Sequence, residues 1–135
     1  MTAPFDLSIR RQVDVEQVRR AARSLAQQLG FAAADCEAIV LATSELATNL
    51  VRYAPGGAVR LSTIDGAGGR GMQVESRDGG PGIGNMAQAL TDGFSTGGGL
   101  GHGLPAVRRL MDTFHMTSGP EGTTVIAGKW LPRPS

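Results

Sequence analysis

The feature that most constrains this chain is where its glycines fall. Of 20 glycines in 135 residues, only Gly30 lies in the first 55, whereas ten lie between Gly79 and Gly103. Glycine lacks a side chain and tolerates φ > 0, so a local concentration builds tight backbone turns and surfaces that a ligand can approach closely. The first 55 residues must then be a conventional packed scaffold. The rest must hold a segment whose chemistry is backbone chemistry.

The scaffold reads clearly. Phe5, Leu7 and Ile9 alternate with Asp6, Ser8 and Arg10, the period of a strand with one buried face. A helix follows, with Asp14 as its cap, Gln17 as the second member of a capping pair, and Val15, Val18, Ala22, Leu25 and Leu29 at helical spacing up to Gly30. Its outer side carries Arg19, Arg20 and Arg23, which with Arg10 and Arg11 make either a solvated face or a docking surface. A second helix is predicted from about Ala34 to Tyr53. It turns Cys36, Ile39, Val40, Thr43, Ala47, Leu50 and Val51 to the core and sets Glu45, Thr48, Asn49 and Arg52 opposite.

Beyond the break at Pro55-Gly56-Gly57, Val59, Leu61, Thr63 and then Met72, Val74, Ser76 read as two strands of a hairpin that turns through Gly66 to Gly71. The second strand ends on Asp78. A short helix is predicted from Asn85 to Leu90, and another opens at Gly103-Leu104-Pro105, with Leu104, Val107 and Met111 buried. Two strands, Phe114 to Thr117 and Thr123 to Trp130, close the chain. The order β-α-α-β-β-α-β-β predicts an α/β two-layer sandwich, with helices on one face of a mixed, mostly antiparallel sheet. At 135 residues and 41% hydrophobic content, residues 1–135 are expected to form one domain.

Charge and composition exclude several functions. A net charge of +1 and six scattered aromatics do not suit a general nucleic-acid binder. One cysteine, Cys36, permits no internal disulfide, and His102 and His115 stand too far apart in sequence for a zinc cluster. No targeting segment or membrane-length apolar run is apparent, so a cytoplasmic protein is expected.

Two glycine segments could cradle an anion: Asp78-Gly79-Gly80-Pro81-Gly82-Ile83-Gly84 and Gly97-Gly98-Gly99-Leu100-Gly101-His102-Gly103. The second directly precedes a helix, whose N-terminal N–H groups and dipole favour a phosphate near Gly101 to Leu104. Flexible connectors share this composition. A P-loop is excluded because neither segment contains lysine. A dinucleotide fingerprint at Gly101-x-Gly103-x-x-Ala106 fails because Gly93 to Gly99, not a strand, precedes it.

Glu45 and Asn49 lie four residues apart, about 5–6 Å at Cβ on a helix. Mg²⁺ keeps several waters and takes substrate phosphates plus one or two protein oxygens, so Asn49 alone can serve, leaving Glu45 to accept a proton. A solvated helix face is the other reading of the pair.

The order of these parts resembles the GHKL (Bergerat-fold) ATPases, and within them the small bacterial anti-sigma regulatory serine/threonine kinases. Glu45-Leu46-Ala47-Thr48-Asn49 is similar to the N box, Asp78 to Ile83 to the first glycine box, Gly99 to Leu104 to the second and Gly122 to Val125 to the third. Asn49 to Ala54, Asp92 to Thr96 and Gly103 to Asp112 narrow the likeness to the RsbT type.

The resemblance implies ATP and Mg²⁺ as cofactors, with Asn49 on the metal and Glu45 activating the attacking hydroxyl. It implies that Asp78 accepts a hydrogen bond from the adenine amino group with Thr123 nearby, and that Gly80, Gly82 and Ile83 lie against base and ribose. Gly99, Leu100, Gly101, His102, Gly103 and Leu104 would form a lid over the phosphates. His102 departs from the family pattern and reads either as a γ-phosphate contact or as a solvent-exposed lid residue.

The implied activity is ATP-dependent phosphorylation of a STAS-domain antagonist in a partner-switching stress or sigma-factor pathway. The alternative is a binding switch, an anti-sigma factor or a phosphatase activator, in which nucleotide selects a conformation. Only 44 residues precede Glu45, too few for the phospho-acceptor helices of a histidine kinase. The extra domains of topoisomerases and chaperones are likewise not expected.

Overall fold

A computed structural model of the chain describes residues 4–66, 69–79 and 103–132. The elements are β1 (Phe5–Ile9), α1 (Gln12–Leu29), α2 (Ala33–Tyr53), β2 (Gly57–Gly66), β3 (Gly69–Asp78), α3 (Gly103–Leu110), β4 (Thr113–Gly119) and β5 (Gly122–Trp130). The short helix expected from Asn85 to Leu90 lies outside the described residues, as do Gly80, Gly82, Ile83, Gly99, Leu100, Gly101 and His102.

The five strands form one sheet in the order β1-β2-β3-β5-β4, and all four pairings between the described strands are antiparallel. Register then decides which side chains share a face. Leu61 pairs with Val74 and Val74 with Ala127, while Val59 pairs with Ser76, Ser76 with Val125 and Val125 with Met116. All of these are buried, and they form one side of the core together with Ile9 and Met72. Val18, Ile39, Leu46, Leu50 and Val107 of the helices complete it. The result is the two-layer sandwich that the strand and helix order predicts.

Two local expectations change. Asp14 is not the cap of α1. The helix begins at Gln12, and Asp14 reaches back in its first turn to accept hydrogen bonds from the Arg10 and Arg11 N–H groups at 2.9 and 3.0 Å. Those bonds, Arg10's the stronger, hold its carboxyl below the usual carboxylate range. Gln17 therefore has no capping role, because the carboxylate that satisfies the orphan N–H groups sits three residues earlier. On α2, Val51 is only half-buried, while Ala42 and Leu46 are fully buried. The core side of this helix is rotated slightly from the predicted one because α3 packs along it.

Lys129 fastens the far end of α3. Its Nζ donates to the Leu110 carbonyl at 2.8 Å and lies 3.7 Å from Asp112 Oδ1 and 3.9 Å from Asp35 Oδ1 at the start of α2. It is the sole lysine of the chain. Since α3 begins beside the C-terminal half of α2 and ends near its start, the two helices run antiparallel.

Candidate functional site

The site is built on the C-terminal half of α2. Thr43 is fully buried there and returns its hydroxyl to the Ile39 carbonyl at 2.8 Å, so a polar residue is absorbed into the core without an unpaired group. Leu46, Ala47 and Leu50 are buried as well. With that side fixed, helical geometry leaves Glu45 and Asn49 half-buried on the flank that α3 approaches.

Gly103, the first residue of α3, closes on this pair. A Cβ at position 103 would stand 3.0 Å from Glu45 Oε2 and 3.1 Å from Asn49 Nδ2. The absence of a side chain lets the N-terminal backbone of α3 lie directly against a carboxylate and an amide. Leu104, Pro105 and Val107 are buried and anchor the turn. Pro105 falls in the first turn, where no intrahelical N–H is required. The positive end of the helix dipole thus stands beside a carboxylate and a side-chain amide.

A second cluster lies at the end of β3. Asp78 Oδ1 accepts a hydrogen bond from the Thr123 backbone N–H at 3.3 Å, and Thr123 is buried. The Thr123 hydroxyl lies 2.9 Å from the Ser118 hydroxyl across the β4–β5 pair. Gly122, at φ +134°, lets its backbone approach the Asp78 carbonyl so closely that a side chain would overlap it. Asp78, Thr117, Ser118, Glu121, Gly122 and Thr124 line a cavity of about 480 Å³ beside the β4–β5 turn.

Gly57 joins the two clusters. A Cβ there would stand 2.7 Å from Leu50 Cδ2, the residue after Asn49, and 3.3 Å from Asp78 Cβ. The ends of α2 and β3 therefore meet across a third glycine. Of the residues singled out from the sequence, Glu45, Asn49, Gly103 and Leu104 come together at the α2–α3 contact, and Asp78 with Thr123 at the β3–β5 contact. The remaining glycine-segment residues fall outside the described residues.

Three contributors were missed: Gly57, Ser118 and Gly122 as a point of close backbone approach. The signal for the last two was present. A Gly119-Pro120-Glu121-Gly122 turn fixes the pairing Gly119↔Gly122, and hence Ser118↔Thr123. Gly57 was read only as a chain break, because its contacts are long-range.

The donors suit a metal held mainly by a nucleotide. Among the described residues no group of three or more His, Cys, Asp and Glu side chains could hold an ion. One amide oxygen beside a backbone cradle is instead the sparse protein contribution that Mg²⁺ accepts when phosphates supply the other ligands. No helix among the described residues is long and apolar enough to cross a membrane.

Comparison with known proteins gives concordant results. The family model described as Histidine kinase-like ATPase domain matches residues 10–129. Serine/threonine-protein kinase RsbT of Bacillus subtilis (strain 168) is 43% identical over 119 residues, covering 87% of this chain and 90% of that protein. A crystal structure of the RsbU and RsbW domains of a Mycobacterium tuberculosis protein superposes with a TM-score of 0.68 at 21% identity, covering 99% of this chain and 34% of that one. The histidine kinase domain of a blue-light activated kinase from Erythrobacter litoralis gives a TM-score of 0.54 at 19% identity, covering 96% and 68%. At those identities the two structures speak for the fold alone.

Proposed function

From the premise that this chain belongs to the histidine kinase-like ATPase domain family, we propose that it is an ATP-dependent serine/threonine protein kinase that acts on a partner protein. The observation that carries this reading is Gly103 seated against both Glu45 and Asn49. It sets a carboxylate and a side-chain amide at the dipole-positive end of a helix, groups that can hold a metal-bound phosphate and deprotonate a hydroxyl beside it. The likeness to a curated serine/threonine-protein kinase over most of both chains supports the same class of chemistry.

In this reading MgATP, when bound, supplies the γ-phosphoryl group and the positive charge that neutralises its oxygens. Asn49 gives its side-chain oxygen to the metal. Glu45 takes the proton of the acceptor Ser or Thr hydroxyl as the new P–O bond forms and the bond to the leaving diphosphate breaks. The N-terminal N–H groups of α3 hold the phosphates. Asp78, its Oδ1 already oriented by the Thr123 N–H, receives the adenine amino group. Gly80, Gly82 and Ile83 line the base and ribose, and Gly99 to Leu104, His102 included, close over the phosphates. Catalysis is then mainly positioning and charge stabilisation by a single cytoplasmic domain. The substrate proposed is a STAS-domain antagonist of a partner-switching stress pathway.

The direct test incubates the chain with MgATP and a STAS-domain partner and follows phosphoserine or phosphothreonine by mass spectrometry. Glu45→Ala is expected to slow transfer by about 10²–10⁴-fold, the usual contribution of a positioned base, while MgATP still binds. Undiminished transfer in this variant would remove Glu45 from the chemistry.

A further inference from the structure

The outer crest of α2 carries an unpartnered pair of side chains in line with Glu45. Leu41 precedes Glu45 by four residues and Arg52 follows it by seven, so helical geometry sets all three within about 40° of one another around the axis. Leu41 is 49% exposed, and of the large apolar side chains exposed among the described residues, Phe5, Val13 and Leu41, only Leu41 shares an element with Glu45. Arg52 is exposed and takes part in no ion pair or hydrogen bond among the described residues. On α1, Arg19 is paired with Glu16 and Arg23 with Glu37; Arg20 is exposed as well, but on a different element from Glu45.

We propose that Leu41 and Arg52 form a docking strip for the phospho-acceptor protein, one that selects an acceptor hydroxyl flanked by an apolar side chain on one side and a carboxylate on the other. The inference rests on the kinase reading and specifies its substrate. The helix rise puts Leu41 about 6 Å and Arg52 about 10 Å along the axis from Glu45, on opposite sides. A hydroxyl delivered to Glu45 therefore meets an apolar contact on the N-terminal side and a cation on the C-terminal side. Charge complementarity assigns the carboxylate to the Arg52 end, because an acid next to Glu45 would be repelled, whereas at about a Debye length that repulsion is largely screened. Burying Leu41 on docking removes the exposed apolar surface.

The test measures phosphate transfer to a STAS-domain antagonist as a function of its concentration, for the wild-type chain and for Leu41→Asp, Arg52→Glu and the milder Leu41→Gln and Arg52→Gln. MgATP affinity and thermal midpoint are read in parallel. The expected result is a KM for the protein substrate raised about tenfold or more in Leu41→Asp and Arg52→Glu, the size of a lost interface anchor, with kcat and MgATP affinity unchanged. Changing one partner Asp or Glu to Lys is expected to restore the KM of Arg52→Glu alone. An unchanged KM in all four variants while the wild type transfers phosphate overturns the docking strip and leaves the kinase reading intact. A KM that rises only in step with lost MgATP affinity overturns it too, since the strip would then act through the nucleotide site. Absence of transfer by a wild-type chain that binds MgATP defeats the kinase reading itself, and this inference with it.

Discussion

The two sides of the site are made in opposite ways. On α2 everything of chemical interest is a side chain: Glu45 and Asn49 project from a glycine-free helix whose other side is locked into the core. On the facing rim, at Gly57, Gly103 and Gly122, it is a missing side chain that matters, because a Cβ would overlap its neighbours at Gly57 and Gly122 and crowd Glu45 and Asn49 at Gly103. The contrast teaches that conservative changes mean different things on the two sides. On α2 an isosteric swap is expected to remove function and spare the fold. On the rim a single added methyl disturbs geometry.

The rim is itself not uniform, and Gly122→Ala is where the largest effect on stability is expected. Its φ of +134° is a conformation that L side chains rarely adopt, and the new Cβ would overlap the Asp78 carbonyl. A loss of about 1–3 kcal/mol or more is expected in chemical denaturation. A midpoint equal to wild type would mean that the close approach of β5 to β3 is not required.

Lys129→Met tests the link between the two sides, because this one side chain ties the C-terminal end of α3 to the start of α2. Removing it leaves the Leu110 carbonyl without its lysine donor, and about 1–2 kcal/mol of stability is expected to be lost. Because α3 is gripped at one end by Lys129 and meets Glu45 at the other, MgATP affinity is expected to fall as well. Loss of stability with full affinity would show that the buried turn at Leu104 positions the helix unaided.

The smallest expected effect falls on the scaffold. Asp14 and Glu37 both have carboxyls held below their usual range, Asp14 by the Arg10 and Arg11 N–H groups and Glu37 by the Arg23 guanidinium. A depressed folded-state pKa contributes stability that is present above the unfolded value, about 4, and is lost as pH falls through the folded one. Asp14→Asn and Glu37→Gln should therefore lower the thermal midpoint slightly at pH 7 and progressively less as the pH drops below about 4. A shift that grew on acidification would reverse the assignment.

The scaffold was legible in the sequence because its determinants are local. Val15, Val18, Ala22 and Leu25 announce α1 by spacing alone, and alternation places Val59, Leu61, Met72 and Val74 on one face of the sheet. Glu45 and Asn49 were legible as neighbours for the same reason. What spacing could not supply is what they face. Gly103 is 54 residues beyond Asn49, and only the packing of α3 against α2 brings them together. Gly57 escaped notice because a glycine after Pro55 and Gly56 looks like a turn whether or not Leu50 and Asp78 press upon it. Asp14 reads as a cap because an acidic residue near a helix start suits either position; here it lies in the first turn and accepts from the N–H groups before it, Arg10 and Arg11, where a cap would accept from those after it.

We propose that Glu45, Asn49 and the N-terminus of α3 form one phosphate and metal site whose closeness depends on Gly103. The measurement that tests it most directly is calorimetric titration of ATP, with and without Mg²⁺, into the wild-type chain and Gly103→Ala. Gly103 has ordinary backbone geometry, so the variant is expected to fold normally; its Cβ would press on Glu45 and Asn49. The predicted result is an affinity reduced about tenfold in Mg²⁺, as a displacement of a few tenths of an ångström at such a site requires, with a smaller change without the metal. Equal Mg²⁺-dependent affinities in the two proteins would contradict the claim.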